Sequence, residues 1–267
     1  MTVAEGLHRD WQRFTPLKRL SRFAFYLCAV TAVVASLRTI DVIPEFLYDA
    51  PDQMVDLFSR MWPPDLSYIG PTIKGMIETL HIATLGTIIA IVLALPVGLL
   101  AARNVTPNLP LNLLAKFIFV TSRSINSLVW ALLFVAVFGP GPLAGTLAIA
   151  FRSIGFTGKL FAEAMEESNK GSIEALTASG ASKLSILLWG YWPQVRPAFW
   201  SIALFRWDIN IRESAVLGIV GAGGVGVALD TALNLLYWDQ VAVVLIAIFI
   251  VVILAEVIVT VLRSHIL

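Results

Sequence analysis

The chain has 267 residues, 58% of them hydrophobic and 14% charged, with a formal net charge of +1 and a mean hydropathy of +0.82. Soluble domains carry about 25% charged residues, so the composition points to a bilayer as solvent, and the near-zero net charge excludes a global basic surface for nucleic acid. Cys28 is the only cysteine, which excludes an internal disulfide and a cysteine-rich metal site; among the apolar neighbours FYLCAV it is expected to be a small core or lipid-facing residue.

Residues 1–22 are polar and basic, with Arg9, Arg13, Lys18, Arg19 and Arg22 set against Glu5 and Asp10. The apolar run Phe23–Leu37 is short for a span, but Arg22 and Arg38 can snorkel and Ile40 to Ile43 can extend it. The tetrapeptide VVAS loosely resembles a signal-peptide cleavage site, yet the long charged leader favours a retained anchor. The density of Lys and Arg before this segment places the N-terminus in the cytoplasm and the next segment outside. That segment, Arg38 to Lys74, is the longest polar loop, with Asp41, Glu45, Asp49, Asp52, Asp56 and Asp65. Its end, MWPPDLSYIGPTI, is expected to be irregular and interfacial. Residues 1–75 thus form a leader, a first transmembrane helix and an external loop, and residues 76–267 the main membrane domain.

Thr79–Ala102 is a clear second span. The third apolar stretch, Leu111 to Phe138, is longer than a ~30 Å hydrocarbon core requires at ~1.5 Å per residue. Its polar middle, TSRSINS, predicts a bend or break. GPGP (Gly139–Pro142) is a tight outer turn, and the fourth span runs from Leu143 to Ala164. Glu163 to Pro193 is amphipathic: Ile173, Leu176 and Thr177 recur at helical spacing, as do Leu184, Leu187 and Leu188. Two short cytoplasmic helices joined near Gly180 fit this stretch, a loop over about residues 166–194. A fifth span starts near Val195 and a sixth covers Val241 to Leu262. The expected fold is all-α and polytopic, with about six transmembrane helices and both termini cytoplasmic.

At the outer end of the fifth span, GIVGAGGVG contains Gly221, Gly223 and Gly226 in the G-x-G-x-x-G spacing of a dinucleotide-binding turn. That fold needs strands and a parallel sheet, whereas the flanking segments are spans and open sheets do not cross bilayers. Gly221, Gly223, Gly224 and Gly226 are therefore expected to let the chain turn and pack closely.

Glu174, Ala175, Gly180 and Pro193 fall on the spacing of a loop of the form E-A-A-x-x-x-G ending in a proline nineteen positions after the Glu. This resembles the docking loop of permease subunits of binding-protein-dependent ABC importers, although Leu176 stands where the second Ala is usual and Trp192 where a Leu is usual. RSINSLVWALLFVAVFGPGPLAG, GKLFAEAMEE and NIRESAVLGIVGAGGVG are similar to the permease of phosphonate importers, and the resemblance covers roughly Pro64 to the C-terminus. It implies a coupling loop that docks an ATPase through Glu174, Ala175, Gly180 and Pro193, and a location in the bacterial inner membrane. The implied partners are a second permease copy, identical or paralogous, two cytoplasmic ATPase subunits that bind ATP and Mg, and a periplasmic or lipid-anchored phosphonate-binding protein. The chain itself has no G-x-x-x-x-G-K-[ST], and GFTGKL lacks both the glycine spacing and the hydroxyl, so no cofactor is expected in this chain.

Ionisable residues within spans are functional candidates. Arg123 and Asn126 lie at the break of the third stretch, Arg152 lies in the fourth span, and FRWDINIRE places Arg206, Asp208, Arg212 and Glu213 along the fifth. These arginines can relay a phosphorus oxyanion, whose geometry suits guanidinium donors. Alternatively they pair internally, as Asp208 and Arg212 can at i, i+4, while Arg123 caps a broken helix or meets lipid headgroups. Arg206 has no acid at i+4 and is the first candidate. His8, His81 and His265 are isolated, which predicts no metal site, and no nucleophile, base and orienter assemble from the sequence. The rival functions are an ion-coupled secondary carrier of a small anion, for which no inverted repeat is visible, and an ABC permease for another small solute.

Overall fold

A computed structural model describes residues 15–40 and 43–266; the leader residues 1–14, with Glu5, His8, Arg9, Asp10 and Arg13, and also Asp41, lie outside that range. The described residues are almost wholly helical and contain no strand. Residues up to Asp56 form one compact unit and residues from Leu57 onward form a second.

In the first unit, helix α1 (Pro16–Thr39) opens with a proline in its first turn, where the missing N–H costs nothing. It runs further in both directions than the apolar core Phe23–Leu37 suggests, because nothing between Pro16 and Thr39 breaks a helix. Leu17–Thr39 is long and apolar enough to cross a membrane, and Cys28 is exposed on it. Helix α2 (Pro44–Met61) corrects the expectation of a polar loop. Glu45, Asp49, Asp52 and Asp56 recur at helical spacing, so its acids form a face of an amphipathic helix, with Glu45 and Arg60 placed to complement the dipole.

The second unit is organised around two parallel helices, α3 (Ile69–Ala101) and α6 (Pro142–Glu166), with Ile82 beside Gly145 and Gly98 beside Phe161. A single 3-10 turn, Leu66–Tyr68, leads into α3 and is capped by Asp65, which accepts from the Ser67 N–H at 2.9 Å and from Gln240 at 3.3 Å. Hydrogen bonds from Ser67 hold the Asp65 carboxyl below the usual carboxylate range. A stripe of small residues, Gly86, Ala90, Ala94 and Gly98, repeats every fourth position of α3 and lets the two backbones approach closely. A Cβ at Gly86 would strike the Ile149 side chain, and one at Gly98 the Phe161 ring.

The third apolar stretch breaks where its polar middle predicts. Helix α4 (Leu109–Ser124) and helix α5 (Ser127–Phe138) meet at 92°. Asn126 caps α5 by accepting from the Leu128 N–H at 3.1 Å. Ser122 pins the break to α6, donating to the Phe151 carbonyl and accepting from the Gly155 N–H at 3.0 Å.

Helix α7 (Lys170–Ala178) follows, then the short α8 (Lys183–Ser185), the π turn Ile186–Tyr191 and the long α9 (Trp192–Leu217). The second short helix is therefore not separate from the fifth span but continuous with it. Pro193 supplies the reason: it has no N–H for the Trp189 carbonyl and its ring would clash with it, and the π turn slips the register there. Helix α10 (Val225–Asn234) and helix α11 (Trp238–Ile266) complete the unit.

Among the described residues, three segments suffice alone by length and composition to cross a membrane, Leu17–Thr39, Leu66–Ala101 and Trp238–His265, or up to five if the bent pairs α4–α5 and Lys183–Asn234 each count as one. The expected fourth span, α6, is long enough at 25 residues but carries Arg152, Lys159, Glu163 and Glu166. Three of these pair: Arg152 with Glu213, and Lys159 with Glu163 at 3.2 Å, while Glu166 accepts the Arg103 N–H at 2.9 Å.

Gly158 of α6 lies directly under the Phe119 ring of α4. Gly158→Leu should lower the thermal midpoint in detergent by the equivalent of ~1–3 kcal/mol through overpacking. Gly70→Ala, where a Cβ meets open space, should leave it unchanged; equal midpoints for both variants would refute the close α4–α6 packing.

Candidate functional site

Two places gather the residues singled out from the sequence. The first is the loop between α6 and α9. Asn169 caps α7 by accepting from the Gly171 N–H at 2.9 Å. The helix ends at Gly180, whose φ of +77° turns the chain while its N–H bonds Thr177 and the Ala181 N–H bonds Leu176. Ser182 caps the next turn.

Ile173 and Leu176 pack against Gly190, so the apolar face of α7 rests on the π turn. That turn adjoins the core cluster of Tyr191, Val195, Phe199, Phe161 and Met165. Gln194 fastens the arrangement, accepting from the Asn169 N–H at 2.8 Å and donating to the Gly190 carbonyl at 2.7 Å.

Glu174 and Ala175 occupy the opposite, exposed face of α7, and Glu174 makes no ion pair among the described residues. Pro193 is exposed in the first turn of α9. The recurrence of Leu184, Leu187 and Leu188 misleads: Leu184 and Leu188 face outward beside Trp189, 74% exposed, while Ile186 and Leu187 turn toward the core cluster. The π turn shifts the register and no 3.6-residue pattern anticipates it. The loop is therefore a rigid arm whose inner face is fixed to the bundle and whose outer face is free.

The second place lies between α6 and α9, in the middle of both helices. Arg206 is 3% exposed, and its Nε donates to Ser153 Oγ at 2.9 Å. Ser153 in turn bonds Asn210 at 3.1 Å, and Asn210 donates to Thr87 of α3 at 2.7 Å. The Glu213 carboxylate accepts from Arg152 Nε with both oxygens at 3.1 Å and from Arg206 Nη2 at 3.5 Å. The Phe156 ring lies 5.6 Å from the Arg206 guanidinium. Two arginines thus share one carboxylate, and the cluster holds one surplus positive charge inside the bundle.

Arg206 does have an acid partner, seven residues on rather than four. The i, i+7 spacing on one helix face was readable; Arg152 and Ser153 come from another helix and left no signal in the sequence. Arg212 and Asp208 form the i, i+4 ion pair, with Arg212 49% exposed and Asp208 buried. Asn126 is a helix cap. Arg123 is not part of the α6–α9 cluster but lines a groove with Lys116 and Lys159.

The glycine turn serves packing. Gly223 and Gly224 have φ of +81° and +80°, which only glycine adopts without strain. The Gly224 and Val225 N–H groups donate to Glu78 at 3.1 Å and Thr79 at 2.8 Å, tying the turn to α3. Gly221 takes a left-handed conformation after a second 3-10 turn, Gly218–Val220, and Gly226 lies against Ala215 and Gly218. With the Gly224 and Val225 N–H groups committed to α3 and no strand among the described residues, the turn lacks the strand–turn–helix setting of a dinucleotide site. No group of three or more His, Cys, Asp or Glu is placed to hold a metal ion among the described residues.

Comparison with known proteins agrees with this geometry. The sequence profile of the family described as "Binding-protein-dependent transport system inner membrane component" matches residues 94–266. HtxC of Stutzerimonas stutzeri is 44% identical over 186 residues, covering 70% of this chain and 66% of HtxC. The phosphite transport system permease protein PtxC of the same organism is 39% identical over 209 residues, 78% of this chain and 76% of PtxC. The phosphate-import permease protein PhnE of Mycolicibacterium smegmatis is 41% identical over 211 residues, 78% of this chain but 39% of PhnE. Among solved structures, an inward-facing MetNI methionine ABC transporter chain superimposes with a TM-score of 0.67 at 25% identity, covering 76% of this chain and 99% of that one.

The shared carboxylate can be tested by stability. Glu213→Gln leaves two arginines without their partner, one fully buried, and should cost ~3–5 kcal/mol. Asp208→Asn frees a half-exposed Arg212 to meet solvent and should cost under ~1 kcal/mol. Thermal midpoints of the two purified variants check the order; a Glu213→Gln midpoint at or above that of Asp208→Asn would contradict the network.

Proposed function

We infer the function from one premise: the chain belongs to the family of binding-protein-dependent transport system inner membrane components. It is a multi-pass membrane protein and acts as the permease subunit of an ATP-driven importer. The observation that carries this reading is the arm at Gly180, bound to the bundle by Ile173, Leu176 and Gln194 and free on its Glu174 face. An ATPase subunit seated on that face would move α7, and the continuous run from Lys183 through the π turn would pass the displacement into α9, which carries Arg206. A carrier driven by ions has no use for such an arm.

The reading places the α7 end of the bundle and both termini on the cytoplasmic side. Two ATPase subunits hold ATP and Mg, a second permease copy or close paralogue completes the path, and an external or lipid-anchored binding protein delivers cargo. Two relatives with phosphorus oxyanions in their names support phosphite, phosphate or a phosphonate as cargo. The surplus charge shared by Arg152, Arg206 and Glu213 supports an anion over a neutral solute or a cation. Arg212, Arg123 and Asn126 are secondary contacts along the same path. Selectivity resides mainly in the binding protein, since a path that releases its ligand cannot hold it tightly.

The complex reconstituted with its ATPase and binding protein tests the arm. A Cβ at Gly180 meets open space, so any defect there is conformational. Gly180→Val should reduce substrate-stimulated ATP hydrolysis about fivefold or more, since a β-branched residue at positive φ costs at least ~1 kcal/mol. Gly180→Asn, which tolerates that conformation, should retain most of it. In a Cys28→Ala background, Ser182→Cys should react with an impermeant maleimide from the ATPase side alone and be protected by the bound ATPase. Wild-type stimulation in Gly180→Val, or labelling of Ser182→Cys from the opposite side, would refute the docking assignment.

A further inference from the structure

Away from the α6–α9 cluster, a groove of about 420 Å3 opens between the end of α3, α4 and the second half of α6. Four cations line it: Arg103, Lys116, Arg123 and Lys159. Two acids share the lining, and both are engaged. Glu163 pairs with Lys159 at 3.2 Å, and Glu166 accepts the Arg103 backbone N–H at 2.9 Å. Lys116 and Arg123 make no ion pair among the described residues, although they stand seven residues apart, two turns along one face of α4. Phe119 and Ala162 close the apolar floor beneath them.

An ammonium and a guanidinium without ion-pair partners among the described residues, lining one apolar-floored groove, offer an anion two free charges. The geometry suits a tetrahedral oxyanion: Arg123 can offer a planar fork and Lys116 a point charge, the pairing that phosphate groups accept.

We propose that the groove between α4 and α6 binds a phosphate-type oxyanion through Lys116 and Arg123, with Lys159 and Arg103 at its margin. Two sources share that chemistry. One is the headgroup of an anionic phospholipid, whose acyl chains would lie along the exposed Leu113, Leu114 and Phe117 of α4. The other is a free phosphorus oxyanion. The groove is apart from the Arg206 cluster, although Arg123 is also a secondary contact of the proposed path; the inference is tested by binding alone, so its failure is distinguishable from a failure of transport.

The experiment compares the full-length chain with the double variant Lys116→Gln/Arg123→Gln in two arms. In the first, nanodiscs of phosphatidylcholine with phosphatidylglycerol are analysed by native mass spectrometry for retained phosphatidylglycerol. In the second, nanodiscs of phosphatidylcholine alone are titrated with inorganic phosphate against chloride at equal ionic strength, and the thermal midpoint is read. Wild-type protein should bind in at least one arm, and the double variant about tenfold more weakly there, as expected for losing two charge-assisted contacts. Lys116→Arg/Arg123→Lys should retain binding, which separates loss of charge from loss of fold. A signal in the first arm assigns the lipid headgroup, and a signal in the second assigns the free ion. No binding in either arm, or equal binding by wild type and the Gln variant, overturns the proposal.

Discussion

A single carboxylate, that of Glu213, sits between two guanidinium groups in the middle of the bundle, and the arrangement of α6 and α9 depends on it. Arginines away from water cost several kcal/mol unless paired, and a shared partner compensates only one of the two. The remainder is handled locally. Ser153 and Asn210 extend the hydrogen bonds to Thr87 on α3, the Phe156 ring covers the Arg206 guanidinium, and Arg152 keeps 28% of its side chain exposed. The same arrangement explains the function proposed for it. A site holding one uncompensated positive charge attracts an anion, and a carboxylate already in place competes with that anion and prevents it from lodging.

One continuous element joins the Gly180 loop to this site. Between Lys183 and Leu217 the chain passes from a capped turn through a π turn into α9 without a loop. Gln194 and the Tyr191 cluster fix α7 to that element, so the arm cannot move alone. The small-residue stripe of α3 holds α6 at backbone distance, and α9 is the other neighbour of Arg152 and Ser153. The glycine turn after α9 anchors its far end to α3 through Glu78 and Thr79. On the proposed reading, motion imposed at the Gly180 end would reach the middle of α9 rather than be lost at its tip.

Much of this was legible in the sequence. The break in the third stretch, the left-handed turn at Gly180 and the structural role of the Gly221–Gly226 segment all follow from local rules: a polar interruption in an apolar run, and glycines where the chain must turn. Helix α2 is also legible, in the spacing of its acids, but its polarity outweighs that period and points to a loop. The π turn was not, because its cause at Pro193 displaces register without a compositional mark. The polar cluster lay between these cases. Arg206 and Glu213 share a helix face at i, i+7, whereas Arg152, Ser153 and Thr87 reach them only through the packing of three helices.

The central claim is that the surplus charge of the α6–α9 cluster serves the passage of an anion. Arg206→Gln isolates that charge, because it leaves Arg152 and Glu213 as a neutral pair and strands no ion. The decisive measurement is the initial rate of phosphite uptake by the reconstituted complex carrying this substitution, at matched protein abundance and thermal midpoint. The account predicts uptake about tenfold or more below wild type, as expected when a charge-assisted contact to the moving ion is lost; wild-type uptake by a normally stable Arg206→Gln complex would contradict it.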